Sequence, residues 1–584
     1  MCGFSGQFSN KNKYNRLNTF LDKESLAHRG PDEHQTYSSS NIKIDFYRLK
    51  ILGGLFGSQP MHSYNNKWLI AFNGEIYNYI EIAKKINMPE LIKCGDTRVL
   101  LEYISIKGLD AIKDLNGMFA IVLYNIEDKK IYLIRDRFGI KPLFYKKIQD
   151  EIHFSSEIKS IPSLEVCDSQ IDKYLQTSKY PDDINTFYKD VYQILPGTIN
   201  SFYDNTLHSN KYYLFDEEIK KLRQRKRSLE EYEDLIEQSI KFRFRSDVPI
   251  NIHFSGGVDS TALLIKIKET LGWDYPIEAF TVTFEDHDYL DYDYANKICK
   301  SLNVPLHKVS LTSSEVPDLS RQLQYYQDEP YGGIPSLAMY KLNMVEREKG
   351  IIVSLEGQGG DEGLGGYLAH IYLAIKDLSE SGNNKKLLKN LVKYCQKDFK
   401  SINYISEEYI QSGFNAHQDL TNIRKNISNK KIVREFGWLE AAQSDNILND
   451  KIPRTLRFHD RISAACSREL RFPFLDHNVL SYGVALNLED KYDNAIPKSP
   501  LRKIISRYLP EKIFKDFKRS NSSPQTIWLQ NDLKLWAHEN IDEAASKVDM
   551  LNQNKNDIHD MLEDKNLANS FPIWQVINLN LMLN

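Results

Sequence analysis

A chain of 584 residues with 76 Lys and Arg against 79 Asp and Glu, net charge −3, has room for two or three domains with sizeable cores. It shows no global electrostatic bias toward nucleic acid. Its six cysteines (Cys2, Cys94, Cys167, Cys299, Cys395, Cys466) have no Cys-x-x-Cys or Cys/His metal spacing, which suits a reducing cytosol better than a disulfide framework. No apolar run approaches the ~20 residues that span a bilayer, and the first twenty residues lack a signal-peptide core, so a soluble cytoplasmic protein is expected, with no membrane insertion.

In chain order, the first signal is Met1-Cys2-Gly3. Initiator methionine is routinely trimmed before a small residue, which would leave a cysteine whose own α-amine is the nearest base. With a pKa of roughly 7.7–8.0, that amine can take the thiol proton without a histidine. Up to about residue 213 the chain carries short alternating runs, such as Trp68-Leu-Ile-Ala-Phe72, Phe119-Ala-Ile-Val-Leu-Tyr124 and Lys130-Ile-Tyr-Leu-Ile134. These predict β-rich layers with a few helices. Asn73-Gly74 is a strong hairpin signal in its own right. Residues 214–228 are charged and helix-prone. Their basic run, Lys220-Lys-Leu-Arg-Gln-Arg-Lys-Arg227, lacks the aromatic interleaving of a nucleic-acid surface, so a solvated linker is expected.

From residue 229 onward strands alternate with helices. Val248-Pro-Ile-Asn-Ile-His-Phe254 reads as a strand, Thr261-Ala-Leu-Leu-Ile-Lys-Ile-Lys as a helix, and Ile277–Phe284 and Gly350–Leu355 as further strands. That pattern predicts a parallel sheet wrapped by helices. Residues 375–450 are polar and helix-prone without a usable motif. Between the first strand and helix lies Ser255-Gly-Gly-Val-Asp-Ser260. Two glycines let main-chain N–H groups approach an anion closely, and the helix N-terminus adds partial positive charge. Asp259 can hold a magnesium ion over phosphates. The Gly-Lys-Ser/Thr ending of a P-loop is missing. The stretch instead resembles the pyrophosphate loop of N-type ATP pyrophosphatases, which split ATP between its α and β phosphates. A second glycine-rich loop, Leu355-Glu-Gly-Gln-Gly-Gly-Asp-Glu362, follows a later strand.

Further motifs run in order: Cys2-Gly-Phe-Ser-Gly6, His28-Arg-Gly-Pro-Asp32, Arg48-Leu-Lys-Ile51, Gln59-Pro-Met61, Asn73-Gly-Glu-Ile-Tyr-Asn78, Gly95-Asp-Thr-Arg98 and Arg135-Asp-Arg-Phe-Gly-Ile-Lys-Pro-Leu-Phe-Tyr145. After the two glycine-rich loops come Asp460-Arg461, Glu469-Leu-Arg-Phe-Pro-Phe-Leu-Asp476, Lys498-Ser-Pro-Leu-Arg502 and Phe517-Lys518. In these pieces nearly the whole chain resembles the glutamine-hydrolysing asparagine synthetases. The resemblance implies two domains. An α+β N-terminal-nucleophile glutaminase of layered antiparallel sheets (1–213) is followed, after a linker (214–228), by an α/β parallel-sheet ATP pyrophosphatase domain with added helices (229–584).

It also implies roles. Cys2 attacks the glutamine amide, with Asn73 and Gly74 as oxyanion donors, while Arg48, Leu52, Glu75 and Asp96 bind glutamine. ATP lies against His253 (through its main chain), Ser255, Gly256, Gly257, Asp259, Ser260, Val282, Glu356 and Gly357. Asp259 and Asp361 hold magnesium, and Lys518 neutralises the transition state. The substrates are glutamine, ATP and a carboxylate acceptor, aspartate by default. No nucleic-acid partner is implied, and a homodimer is compatible. A buried tunnel would carry ammonia between the sites. Two departures stand out. The Asp common after Ile51 is absent, and Gln358 stands where the family has Glu, with Glu356 where it has a small Ser. Gln cannot take a proton, so Glu356 is expected to act as general base or to stabilise ammonium. The variant loop also looks like that of relatives acting on sugar carboxylates in surface-polysaccharide pathways. A nucleic-acid-modifying pyrophosphatase and a non-catalytic sensor are the remaining alternatives.

Overall fold

The computed structural model describes residues 2–9, 24–181, 184–203, 206–285, 290–398, 436–510, 523–567 and 569–584. Lys518 lies outside them. The described residues of the first half form twelve strands: β1 (Cys2–Ser9), β2 (Glu33–Ser38), β3 (Ile42–Arg48), β4 (Met61–His62), β5 (Trp68–Ile76), β6 (Gly117–Asn125), β7 (Lys130–Arg135), β8 (Phe144–Ile148), β9 (Glu151–Ser155), β10 (Val191–Gln193), β11 (Thr198–Tyr203) and β12 (Thr206–Lys211). They form two antiparallel six-stranded sheets, ordered β10-β8-β9-β1-β3-β2 and β12-β11-β7-β6-β5-β4.

The period of two along each strand decides what each sheet face touches. Leu69, Ala71, Ala120 and Val122 join Phe4, Phe8, Ile42 and Ile44 of the other sheet in one buried cluster. The intervening Ile70, Phe72, Phe119 and Ile121 pack instead with Val99, Leu100 and Tyr103 of helix α1 (Asp96–Lys107). The second sheet is therefore covered on both faces. This is why its alternating runs contain almost no polar residues.

The second half contains a five-stranded sheet of β13 (Ile250–His253), β14 (Ala279–Phe284), β15 (Leu306–Leu311), β16 (Val353–Leu355) and β17 (Glu469–Arg471), all pairs parallel, ordered β15-β14-β13-β16-β17. The strand order reverses between β13 and β16. At such a switch point the loops leaving neighbouring strands turn to opposite faces and open a crevice at their carboxyl ends. The loops that leave here are the two glycine-rich segments.

Residues 215–223 are not a solvated connection. They form helix α2 (Phe215–Arg223), whose Phe215 and Ile219, four apart on one face, are buried with Tyr77, Met118 and Phe138 of the first half and Leu470, Phe472 and Leu480 of the second. The basic run is offset by acids: Lys220 pairs with Glu217, Lys221 with Glu218 and Arg225 with Glu231. Within 375–450 most described residues are helical, including Lys385–Asp398 and Trp438–Leu448; residues 399–435 lie outside the described set.

The remaining helices that matter to the site are α3 (Val258–Leu271), α4 (Ile334–Glu348), α5 (Lys451–Ala465) and α6 (Ser499–Ser506). Helix α3 is buried around most of its circumference against Ile250, Ile252 and Leu355. Its Lys266 is accommodated by pairing with Glu269, and its Lys268 by the Tyr275 carbonyl. Leu264 is fully buried there. Leu264→Ala is expected to cost about 2–5 kcal/mol through lost contacts and the cavity left behind, seen as a lower denaturation midpoint by circular dichroism.

Candidate active site

The first cluster forms where β1, β3 and β5 converge. Cys2 opens β1 opposite Arg48 and is buried, which pushes its thiol pKa up. Its main-chain nitrogen donates to Asn73 Oδ1 at 2.9 Å, and its carbonyl accepts from Arg29 Nε at 3.1 Å. Asn73 is fully buried, and its Nδ2 has no protein partner among the described residues. A buried amide N–H₂ left open beside a thiol is a donor kept for something else, because an unsatisfied buried donor costs about 1–3 kcal/mol. Gly74 sits at φ +147°, where an added Cβ would lie 2.0 Å from the Met118 carbonyl oxygen, so only glycine fits.

Around this pair stand the predicted glutamine-binding groups. Arg48 donates to the Leu52 carbonyl at 3.2 Å and lies 3.4 Å from Glu33. Asp96, at the start of α1, accepts from the Ile76 amide at 2.9 Å; burial raises it to about 6 despite that bond and one from Thr97. Glu75 is raised well above the usual carboxylate range by burial, then by Asp96, against the opposing pull of Arg471. Arg471 comes from β17 of the other half, 3.3 Å from Glu75 and 2.8 Å from Glu469. Glu75 and Asp96 are thus two desolvated carboxylates side by side.

The second cluster lies in the switch-point crevice. Gly256 adopts φ +73°, packed against Ala295. Ser255 Oγ accepts from the Gly257 amide at 3.3 Å and lies 3.2 Å from Ser260 Oγ. Gly357 approaches Asp259 and Ser260 so closely that its Cβ would stand 3.2 Å from both. Asp259 and Asp361 meet at one ammonium group: Lys498 Nζ is 2.7 Å from Asp259 Oδ2 and 2.5 Å from Asp361 Oδ1. Burial works against the charge on Lys498, but the two carboxylates outweigh it and raise its pKa. Val282 is half-buried in β14, its main chain paired with Val309.

Among the described residues no three His, Cys, Asp or Glu side chains are placed to hold a metal by themselves. Two convergent carboxylates do fit magnesium, which completes its shell with water and phosphate oxygens rather than an all-protein cage.

Beside this cluster, Glu356 accepts from His253 Nδ1 at 2.7 Å and from His459 Nδ1 at 2.8 Å, and His253 Nε2 reaches Glu346 of α4 at 2.9 Å. Burial works against the ionised carboxylate, but His459 and His253 outweigh it and hold Glu356 far below its usual range. A carboxylate so held is a poor proton acceptor, so these contacts do not favour the general-base role expected of it. Burial also opposes charge on His253, yet Glu346 and Glu356 raise it to about 9. The His253 imidazole is thus committed to protein groups.

The two clusters are separate, and buried ion pairs lie between them. Arg29 binds Glu157 of its own half at 2.7 Å and Asp460 of α5 at 2.8 Å, and Lys141 reaches Asp460 at 3.2 Å. A small pocket at this junction is lined by Ile140, Lys141, Leu456, Asp460, Ser463, Leu470 and Phe472. Sequence reasoning assigned no role to Arg29, Arg471, Lys498 or His459. The first three sit inside quoted motifs, but a lone cation does not say which acid it meets; His459 precedes the Asp460-Arg461 motif and carries no signal by itself.

A two-sheet half whose first strand opens at Cys2, joined to a parallel-sheet half with two glycine-rich loops at its switch point, has the architecture of a two-site amidotransferase. Residues 1–213 match the glutamine amidotransferase domain and residues 231–584 the asparagine synthase domain; the chain belongs to the asparagine synthase family. It is 28% identical to asparagine synthetase [glutamine-hydrolyzing] 1 of Bacillus subtilis (strain 168) over 99% of this chain and 95% of that protein. It is 29% identical to a putative asparagine synthetase [glutamine-hydrolyzing] 2 of Methanocaldococcus jannaschii over 64% of this chain and 76% of that protein. Amidase chry2 of Gibberella zeae is 24% identical over 92% and 88%. The enzyme is thus of the glutamine-hydrolysing asparagine synthase type, a family that uses ATP as co-substrate.

Removing the Lys498 ammonium leaves two partly buried carboxylates facing each other. Lys498→Met is expected to cost about 3–5 kcal/mol. Millimolar magnesium should raise the melting temperature of the variant more than that of the parent in a thermal-shift comparison.

Proposed function

We propose that this enzyme moves the amide nitrogen of glutamine onto a carboxylate activated by ATP as an acyl-adenylate, releasing AMP and pyrophosphate. The observation that carries the reading is the convergence of Asp259 and Asp361, from the two glycine-rich loops, on Lys498. In this reading residues 1–213 are the glutaminase, 214–228 the connection and 229–584 the synthetase. After removal of Met1, the Cys2 amine is held by Asn73 Oδ1 and takes the thiol proton as sulfur attacks the glutamine amide. Asn73 Nδ2 and the Gly74 N–H receive the developing oxyanion. Arg48 clamps the glutamine carboxylate, Leu52 packs beside it, and Glu75 and Asp96 take its ammonium.

In the synthetase half, Ser255, Gly256, Gly257 and Ser260 cradle the phosphates at the start of α3, with the His253 main chain, Val282, Glu356 and Gly357 along the nucleotide. Asp259 and Asp361 would hold magnesium, which when bound neutralises the departing pyrophosphate. Lys518 adds a further positive charge. Aspartate is the first acceptor to test; a sugar carboxylate is the second, supported by the occurrence of Glu356 together with Gln358 in a loop that looks like that of relatives acting on sugar carboxylates. The cytoplasm, a homodimer and the absence of a nucleic-acid partner complete the reading. In support, no described helix is long and apolar enough to cross a membrane.

Pyrophosphate release from ATP, measured with aspartate and a panel of sugar acids, tests the reaction; no release with any acid would defeat it. Cys2→Ala should abolish glutamine-supported synthesis and leave ammonium-supported synthesis intact in the same assay. Because the glutamine ammonium needs Asp96 ionised, the KM for glutamine should rise as pH falls through about 6 while the KM for ATP does not follow it.

A further inference from the structure

We propose that His459 accepts the proton that nitrogen sheds when ammonia joins the activated carboxylate, and that Glu356 and His253 hold it ready for that task. The inference rests on the acyl-adenylate reading above.

The geometry begins with Glu346. It is fully buried, faces His253 Nε2 at 2.9 Å and is also bound by Arg468. The other ring nitrogen of His253 faces Glu356 at 2.7 Å. With a carboxylate at each nitrogen, His253 donates twice and is an imidazolium, in keeping with its elevation to about 9. Glu356 is therefore an ionised acceptor, and the ring that meets its second oxygen, His459 through Nδ1 at 2.8 Å, must be the donor there. That fixes the tautomer. A neutral His459 carries its hydrogen on Nδ1 and leaves the Nε2 lone pair open, the arrangement in which a carboxylate prepares histidine as a general base. Among the described residues no protein group pairs with Nε2, and the side chain is 20% exposed rather than sealed in the core.

Location agrees with this chemistry. On α5, Leu456, Asp460 and Ser463 line the pocket at the junction of the halves. His459 lies three residues after Leu456 and four before Ser463, on the same side of the helix. Its ring is 6.4 Å from that of Phe472, another wall of the pocket. Glu356 opens the loop whose next residue, Gly357, abuts Asp259 and Ser260. His459 thus neighbours Asp460, which meets Arg29 and Lys141 of the first half, and is bonded to Glu356, whose loop abuts Asp259. Gln358 cannot take a proton, and Glu356 is held ionised by the His253 imidazolium and the hydrogen bond from His459 Nδ1.

The step balances without a further reactant. The ammonia lone pair forms the C–N bond, the acyl C–O bond breaks and its electron pair leaves with AMP. The surplus hydrogen on nitrogen passes as a proton to His459 Nε2 and then to solvent.

The test uses full-length His459→Gln with the acid that drives pyrophosphate release in the parent, L-aspartate being the first probe. ATP–pyrophosphate exchange and glutamine hydrolysis should stay within about threefold of the parent, while amide formation from ammonium should fall by ~10²–10⁴-fold, the range of a lost general base. Parent-like amide formation overturns the proposal, and so does an equal loss of exchange and amide, which marks a purely structural role. Nitrogen NMR of the imidazoles in the parent provides an independent readout: hydrogens on both nitrogens of His253 and, in the neutral form of His459, on Nδ1 are expected, and a neutral His459 with its hydrogen on Nε2 overturns the assignment. Absence of exchange in the parent with every acid defeats the adenylation reading instead, and takes this inference with it.

Discussion

One buried guanidinium ties the molecule together. Arg29 is fully buried and uses its three nitrogens on three parts of the chain: the carbonyl of Cys2, Glu157 in its own half and Asp460 in the other. Burying such a charge yields little net stability, because desolvation offsets most of the attraction. What it supplies is geometry, since a planar fork with three fixed directions admits one arrangement of its partners. The strand that begins at the cysteine is thereby registered against the helix that carries His459.

The apolar contacts around this seam hold the halves together. Phe215, Ile219, Leu470, Phe472 and Leu475 close over Tyr77, Met118 and Phe138, so the junction is packed like an interior. The charged residues sit within that packing rather than at its rim. Arg471 shows the consequence: it belongs to the parallel sheet of one half and lies against Glu75 of the other, so the electrostatics of the first cluster depend on a strand from the second.

The residues at 356 and 358 decide where charge sits at this end of the crevice. A carboxylate two positions earlier on the loop falls within reach of two imidazoles, becomes firmly ionised and loses its value as a base. The basic atom moves outward to the neighbouring ring. The carboxylate that cannot itself serve as a base thus defines the ring proposed to do so.

Much of the fold was legible in local pattern. The almost unbroken apolar runs Trp68–Phe72 and Phe119–Tyr124 mark strands covered on both faces, and a strand, two glycines and a helix in sequence leave few conformations for Ser255–Ser260. Such signals arise between residues a few positions apart, where the chain itself sets the distance. Pairings over long separations were not legible. Arg29 meets Asp460 across 431 positions, Lys498 meets Asp259 across 239, and Glu356 meets His459 across 103. The apolar face of Phe215–Arg223 was likewise hidden, because its charged residues dominate the composition while two side chains decide its burial. By itself the sequence determined the two kinds of sheet, the two glycine-rich loops and the residue types available to each cluster. Only tertiary packing decided which acid each cation neutralises and which imidazole keeps a free lone pair, because a charge selects its partner by distance in space and not by order along the chain.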